Sequence, residues 1–271
     1  MSERKTVTDM ITKESFKEAL YNLGVEKDMI LEVHTALSSF GYVVGGARTI
    51  VDALLEIAED GGTILMPVQT GDNTEPSNWS KPPVLPSLWK EIRDAMPAYD
   101  SNSTDLRGMG AVVENFRHRD GVVYSNHPYL SYAAWGRYAK LLCNRQSLHF
   151  PLAEESPAAR LYELKGYVLL LGAGFNTCTC MHLAQYRAEA RPIILDGSSI
   201  QTSDGKKEWK KYLNLALDVE GFEEVGEEMR KKGLVKEGSI GSCHVQFFSA
   251  NKAIDEATKY YEKSVIYDLY R

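Results

Sequence analysis

Four cysteines in 271 residues, at positions 143, 178, 180 and 243, are too few and too unevenly spaced to frame a disulfide scaffold, and they are expected to be reduced. Positive charge is also scarce. Thirty-one Lys and Arg stand against 37 Asp and Glu, a formal charge of −6 with no basic face in the sequence, which argues against nucleic acid or an anionic membrane as partner. No apolar run approaches membrane-spanning length, and the N-terminus, MSERKTVTDMITKESFKEAL, carries charges where a secretory signal needs an apolar core. The expectation is a cytoplasmic protein. Internal repeats, low-complexity segments and a G-x-S-x-G nucleophile elbow are missing as well, and the last of these lowers the serine-hydrolase option.

What is present is an ordinary globular composition. The 44% hydrophobic content suffices for a proper core, in two modest domains or one large α/β unit, and a single domain over residues 1–271 is expected. SFKEALYNLG predicts a helix capped by Thr12 or Ser15 and stopped by Gly24, and MILEVHTA a short strand that places His34 where strand gives way to loop. The loop SSFGYVVGG leads into the amphipathic helix ARTIVDALLEIAE, and Gly61 and Gly62 turn the chain into the strand TILMPV. QTGDNTEPSNWSKPPVLP, residues 69–86, is too long and polar for a simple connector and reads as a substrate loop or lid.

Further on, SLWKEIRDAM and AVVENFRHR predict helices, separated by the polar stretch DSNSTDLRGMG, and in SPAARLYEL Ser156 can cap a helix whose first position is Pro157. RPIILDGSSIQTSDGKKEWKKYLN reads as an antiparallel hairpin at the sheet edge. LDVEGFEEVGEEMRKKG is a charged helix, and the tail returns a strand and a last helix. This alternation implies a three-layer α/β/α fold with a mixed sheet and antiparallel additions at one edge. Polar loops that follow the strands gather at one end of such a sheet, where ligands bind.

The densest chemistry lies in GAGFNTCTCMHLAQYR, residues 172–187, directly behind the apolar strand YVLLL. Gly172 and Gly174 form a G-x-G, but position 177 is threonine, so the dinucleotide fingerprint is incomplete. Cys178, Cys180 and His182 lack the spacing of a zinc site, and no metal is expected. Cys178 and His182 are four apart, which leaves a thiol nucleophile with a histidine base open as an alternative, against the commoner fate of a small buried cysteine. His182 opens a helical sequence and projects from its first turn. Taken alone it reads as a structural histidine; the polar loops converging on the same sheet end favour a functional one.

HTALSSFGYVVGG, SNHPYLSYAAWG, SPAARLYEL followed by GYVLLLG, and HLAQYRA, in this order, resemble the aminoglycoside 3-N-acetyltransferase family over about residues 14–260. The resemblance implies an acetyl-CoA-dependent N-acetyltransferase, with coenzyme A and a small-molecule amine, in the family an aminoglycoside, as its ligands. It implies His182 as general base, Thr179 as donor to the thioester oxygen and Asn176 beside them. Coenzyme contacts are expected from His34, Thr35, Ser38, Ser39, Gly45, Gly46 and Arg107, and acceptor contacts from Gln185, Glu154, Glu155, Asp72 and His127, although a His-Pro entering a strand also serves to pin a loop. Family members usually carry Asp and Glu where this chain has Asn176 and Gln185, so two carboxylates are replaced by amides, with Glu154, Glu155 or Glu189 as candidate replacements. A coenzyme A-binding protein without aminoglycoside activity and the thiol hydrolase remain the alternatives, and the oligomeric state is open.

Overall fold

The computed structural model describes residues 9–263. Its centre is a seven-stranded mixed sheet built from β1 (Ile30–Thr35), β2 (Thr63–Gln69), β3 (Val123–Tyr124), β4 (Leu130–Gly136), β5 (Tyr167–Leu171), β8 (Val235–Ile240) and β9 (Cys243–Ser249), in the order β3-β4-β2-β1-β5-β9-β8. The three central strands β2, β1 and β5 are parallel. Antiparallel strands flank them on both edges, β4 and β3 on one and β9 and β8 on the other, where antiparallel additions at a single edge were expected.

The hairpin β6 (Ile193–Gln201) and β7 (Lys207–Leu215) forms as expected but pairs only with itself, as a separate two-stranded sheet. The reason is the polarity of its buried residues. Ser199 N–H donates to Asn73 Oδ1 at 2.8 Å, Ser198 Oγ to Asn73 O at 2.7 Å, and Asp196 accepts from Glu75 N–H at 3.1 Å. These bonds seat the hairpin on the long loop after β2 instead of on an edge strand. The loop in turn holds two short 3-10 turns, Pro76–Asn78 and Pro86–Leu88, and no longer element.

Helices cover both faces. On one side lie α1 (Lys13–Leu23), α2 (Ala47–Ala58) and α4 (Ala111–Arg117); α3 (Trp89–Ala95) follows the long loop. On the other side lie α5 (Ala139–Leu142), α6 (Pro157–Glu163), α7 (His182–Arg187), α8 (Phe222–Lys231) and α9 (Ala250–Glu262). Each strand therefore contributes alternate residues to two cores: Leu31, Val33, Ile64, Met66, Leu169 and Leu171 to the first, Ile30, Leu65, Tyr132, Val168 and Leu170 to the second. Glu32 and His34 share the second face by the same alternation. Local signals hold where they were strongest: Thr12 and Ser15 form a reciprocal capping box at α1, and Gly24 ends it in the left-handed conformation.

Candidate active site

The carboxyl ends of the parallel strands bring His34 and Thr35 of β1, Gln69 of β2 and the segment after β5 to one end of the sheet. Close packing brings the first and last of these together. Gly172, at φ +67°, carries no side chain because an added Cβ would lie 1.8 Å from Ser39 Oγ. Ser39 Oγ itself donates to Ala36 O at 2.7 Å, so it serves the loop, while Ser38 is exposed.

After Gly174 the chain makes two 3-10 turns, Phe175–Thr177 and Thr179–Met181, and the second runs straight into α7. Cys178 and Cys180 are fully buried, with sulfur atoms 3.6 Å apart, and burial raises both thiols above their ordinary range. This is the opposite of an activated thiolate, and Cys178 has no surface from which to attack a substrate. Among the described residues no group of three His, Cys, Asp or Glu is placed to hold a metal. Thr179, buried at 5% exposure, has its hydroxyl within 3.4 Å of Gln69 Nε2, which donates to it and leaves the O–H free to point elsewhere.

His182 is partly buried at the start of α7, its ring tilted against Phe222 at 5.0 Å between centroids. Its Nδ1 lies 2.9 Å from Gln185 Oε1. The amide orientation is settled by its other end, because Gln185 Nε2 donates to the Asp218 carbonyl at 2.9 Å and to Tyr261 Oη at 3.1 Å. A carbonyl only accepts, so Nε2 must face it and Oε1 must face the histidine. The proton of the neutral imidazole therefore sits on Nδ1, and Nε2, which makes no hydrogen bond among the described residues, carries a free lone pair. Burial lowers the His182 pKa, with Gln185, Asp218 and Glu32 pulling the other way and Arg191 reinforcing burial. The ring is neutral at physiological pH.

The remaining expected residues divide. Asn176 is exposed, its backbone N–H bound to Glu223 Oε1 at 3.1 Å, and no hydrogen bond joins it to His182. Glu154 is exposed and paired with Arg187 at 2.8 Å, and Glu155 and Glu189 are exposed as well. Arg107 and Asp72 face each other at 3.3 Å on the wall of a cleft of about 640 Å³ between the loop after β2 and the hairpin, which Trp79, Tyr129 and Asp196 also line. One residue was expected at the coenzyme and the other at the acceptor, yet they share this wall.

His127, at 2% exposure, accepts at Nδ1 from the N–H groups of Tyr129 (3.1 Å) and Leu130 (2.9 Å) and donates from Nε2 to Leu148 O at 3.2 Å. Burial lowers its pKa to about 4. With both nitrogens committed to backbone, the ring pins the loop and offers no atom to a substrate. Gly45 and Gly46 adopt φ of +81° and +61°, and nothing lies within 4 Å of where a Cβ on Gly46 would be.

One residue stands at the heart of this region that the sequence reading passed over. Glu32, fully buried, accepts at Oε1 from the Cys180 N–H (3.1 Å) and pairs with His34 Nε2 (3.0 Å). The signal was present in ILEVHT: a charge on the buried-strand pattern, two residues before a histidine and so on the same face.

A sequence model of the family described as aminoglycoside 3-N-acetyltransferase matches residues 33–262, and the chain belongs to that family of acetyltransferase enzymes. It is 43% identical over 251 residues to the SPbeta prophage-derived aminoglycoside N(3')-acetyltransferase-like protein YokD of Bacillus subtilis strain 168, covering 92% of each chain. The crystal structure of YokD superposes with a TM-score of 0.91 at 41% identity over 97% of each chain. Aminoglycoside N(3)-acetyltransferase VII of Streptomyces paromomycinus is 30% identical over 277 residues, 94% of this chain and 93% of its own. AAC-IIIb, solved as a binary complex with CoASH, matches with a TM-score of 0.83 at 26% identity over 94% of this chain and 97% of its own. No described helix is long and apolar enough to cross a membrane.

Proposed function

We propose that the chain is an acetyl-CoA-dependent N-acetyltransferase that transfers the acetyl group directly to an amine, with His182 as general base. The observation that carries this is the fixed tautomer of His182: Nδ1–H held by Gln185 Oε1 at 2.9 Å, Nε2 free. The acceptor nitrogen attacks the thioester carbon while Nε2 takes its proton. The tetrahedral intermediate then collapses with cleavage of the C–S bond, and the proton leaves His182 for the thiolate or solvent. A positioned base of this kind typically contributes about 10²–10⁴-fold, and holding amine and thioester together supplies much of the rest. Thr179, whose hydroxyl keeps a free proton, donates to the thioester oxygen as charge builds there.

The chain's own residues suit coenzyme A. The 12-residue α2 follows Gly46, which offers no side-chain cap, so the N–H groups of Ala47 and Arg48 remain available to a phosphate, and the open space at Gly46 lets that phosphate approach. Thr35 Oγ1 is buried beside this loop with no partner among the described residues, a polar atom ready for the pantetheine arm. The CoASH complex of AAC-IIIb supports the same co-substrate here.

The acceptor is a small amine. Family membership points to aminoglycosides, and the neutral, exposed Asn176 points to weaker recognition of a polycation than a carboxylate there would give, whereas Gln185, expected at the acceptor, is fully buried with its amide on His182, Asp218 and Tyr261 and acts only through the base. Charge-assisted hydrogen bonds contribute about 1.5–3 kcal/mol against roughly 0.5–1.5 for neutral ones. The test is release of free thiol from acetyl-CoA over a panel of aminoglycosides, amino sugars and polyamines, with thermal stabilisation by coenzyme A measured in parallel. Turnover with at least one amine is expected. Absence of both turnover and coenzyme A binding overturns the reading.

A further inference from the structure

The buried carboxylate of Glu32 is unusual in where its atoms point. Oε1 gathers donors from three separate elements: the Cys180 N–H at 3.1 Å, the His34 ring at 3.0 Å and, more loosely, the Tyr132 hydroxyl at 3.5 Å. Oε2 is buried with no hydrogen-bond partner among the described residues. A buried carboxylate oxygen left unsatisfied destabilises the fold, and an apolar side chain of the same size would avoid that cost. A strut alone does not explain the residue.

The place of the strut does. Cys180 is the middle residue of the Thr179–Met181 turn, so its N–H anchors to β1 the one segment that carries both Thr179 and His182. The base has no carboxylate of its own, since Gln185 holds its Nδ1. Asp218 and Glu32 both favour the charged ring; Asp218 is half-exposed and already paired with Arg191 at 2.6 Å, while Glu32 is sealed in the core and bound to the segment that carries His182. Charge acts most strongly where water is excluded.

We propose that Glu32 is a positioning residue of the acyl-transfer site, tying the Thr179–His182 segment to β1 and supplying from beneath the negative charge that favours the imidazolium formed when His182 takes the amine proton. This rests on the reading of His182 as base. The carboxylate is not replaced from the surface by Glu154, Glu155 or Glu189; it comes from the sheet.

The test is Glu32→Gln, which keeps the shape and one acceptor oxygen and removes the charge, compared with the unaltered protein for kcat, KM and the pH profile. The groups facing the two ends are Gln185, Asp218, Arg191 and Phe222 around His182, and His34, Tyr132, Cys178 and Cys180 around Glu32; all stay unchanged. The KM for acetyl-CoA is expected to hold within about twofold while kcat falls on the order of tenfold, the signature of a contribution made in the transition state. The acid limb of kcat/KM is expected to move to lower pH by roughly half a unit. A kcat and an acid limb equal to the parent's overturn the proposal. The ¹⁵N titration of the His182 imidazole by NMR reads the same downward shift without turnover, so it decides the role of Glu32 even if the unaltered protein acetylates no amine in the panel and the proposed function itself fails. If Glu32→Gln does not fold, Glu32→Met carries the titration; unfolding of both makes Glu32 a support of the fold alone and overturns the assignment.

Discussion

Two histidines with lowered pKa sit at the same end of the sheet, one in a loop and one at the start of a helix, and they differ in one nitrogen. In the turn before β4, His127 gives Nδ1 to two backbone N–H groups and Nε2 to a carbonyl. At the first position of α7, His182 gives Nδ1 to Gln185 and keeps Nε2 free. Burial explains both pKa shifts and so distinguishes neither. What separates a pin from a base is the count of ring atoms left over once the protein has used its share.

The widest gap between the two should appear on truncation. His182→Ala is expected to lower acetyl transfer by at least about a hundredfold with the affinity for coenzyme A nearly intact, since a base acts in the transition state. His127→Ala should do the reverse. It strands two backbone N–H groups and a carbonyl in a buried loop, so a stability loss of about 3 kcal/mol is expected in denaturant titration, with kcat of the folded protein within about threefold. If His127→Ala abolishes turnover in a folded protein while His182→Ala is mild, the roles are exchanged.

Acid sharpens the same contrast. His127 is held neutral in the fold, at a pKa of about 4 against 6.5 when unfolded, so the unfolded chain binds the extra proton between those values. Its contribution is fully present above pH 6.5 and is lost as pH falls toward 4, about 3 kcal/mol in all. Replacing it by Gln should flatten that part of the stability curve. His182, also shifted downward, must be neutral to act, so kcat/KM should fall on acidification with a midpoint below the ordinary histidine value of 6.5. A midpoint above that value would mean a partner stronger than Gln185.

At the other end of the site, Gly46→Val is expected to weaken coenzyme A binding about tenfold, measured by calorimetry, because a branched residue resists φ +61° and fills the space left open before α2. Melting temperature should drop less than the change in affinity would suggest, since no core atom lies near. Unchanged affinity in a folded variant would remove this loop from the coenzyme site.

How much of this was legible follows from the range of the interactions. Thr12, Gly24, Ser156 and the strand YVLLL act within a few residues, and the caps, the strand and the helix at His182 formed where local chemistry put them. The hairpin was legible as a hairpin, but not its detachment, because its partner is Asn73, more than a hundred residues away, and the bonds are to side chains that periodicity does not register. Glu32 was only half legible. ILEVHT shows a charge on a buried-strand pattern, on the face of His34, but its role depends on the contact with Cys180, 148 positions on, which periodicity does not register.

The smallest effects are expected where amides stand for acids, and here the structure separates two positions that the sequence pairs. Gln185→Glu puts a carboxylate beside Nδ1, which should raise the His182 pKa and carry the acid limb of kcat/KM upward. Yet Gln185 Nε2 now donates to the Asp218 carbonyl, and an acid there leaves oxygen facing oxygen. The gain in base strength is offset by a strained α7, and a net change in kcat of no more than about fivefold is expected, either way. Asn176 is exposed, and its backbone N–H donates to Glu223. Asn176→Asp therefore adds a screened charge next to another acid, and alone it should alter turnover of a gentamicin-like amine by less than about twofold. The pair is informative because no hydrogen bond joins the two positions among the described residues: if they act independently, their effects multiply within error. A large synergistic gain on aminoglycosides in the double variant would show that the loop at Asn176 closes over the acceptor and meets His182 there, and the distinction drawn between the two positions would fall.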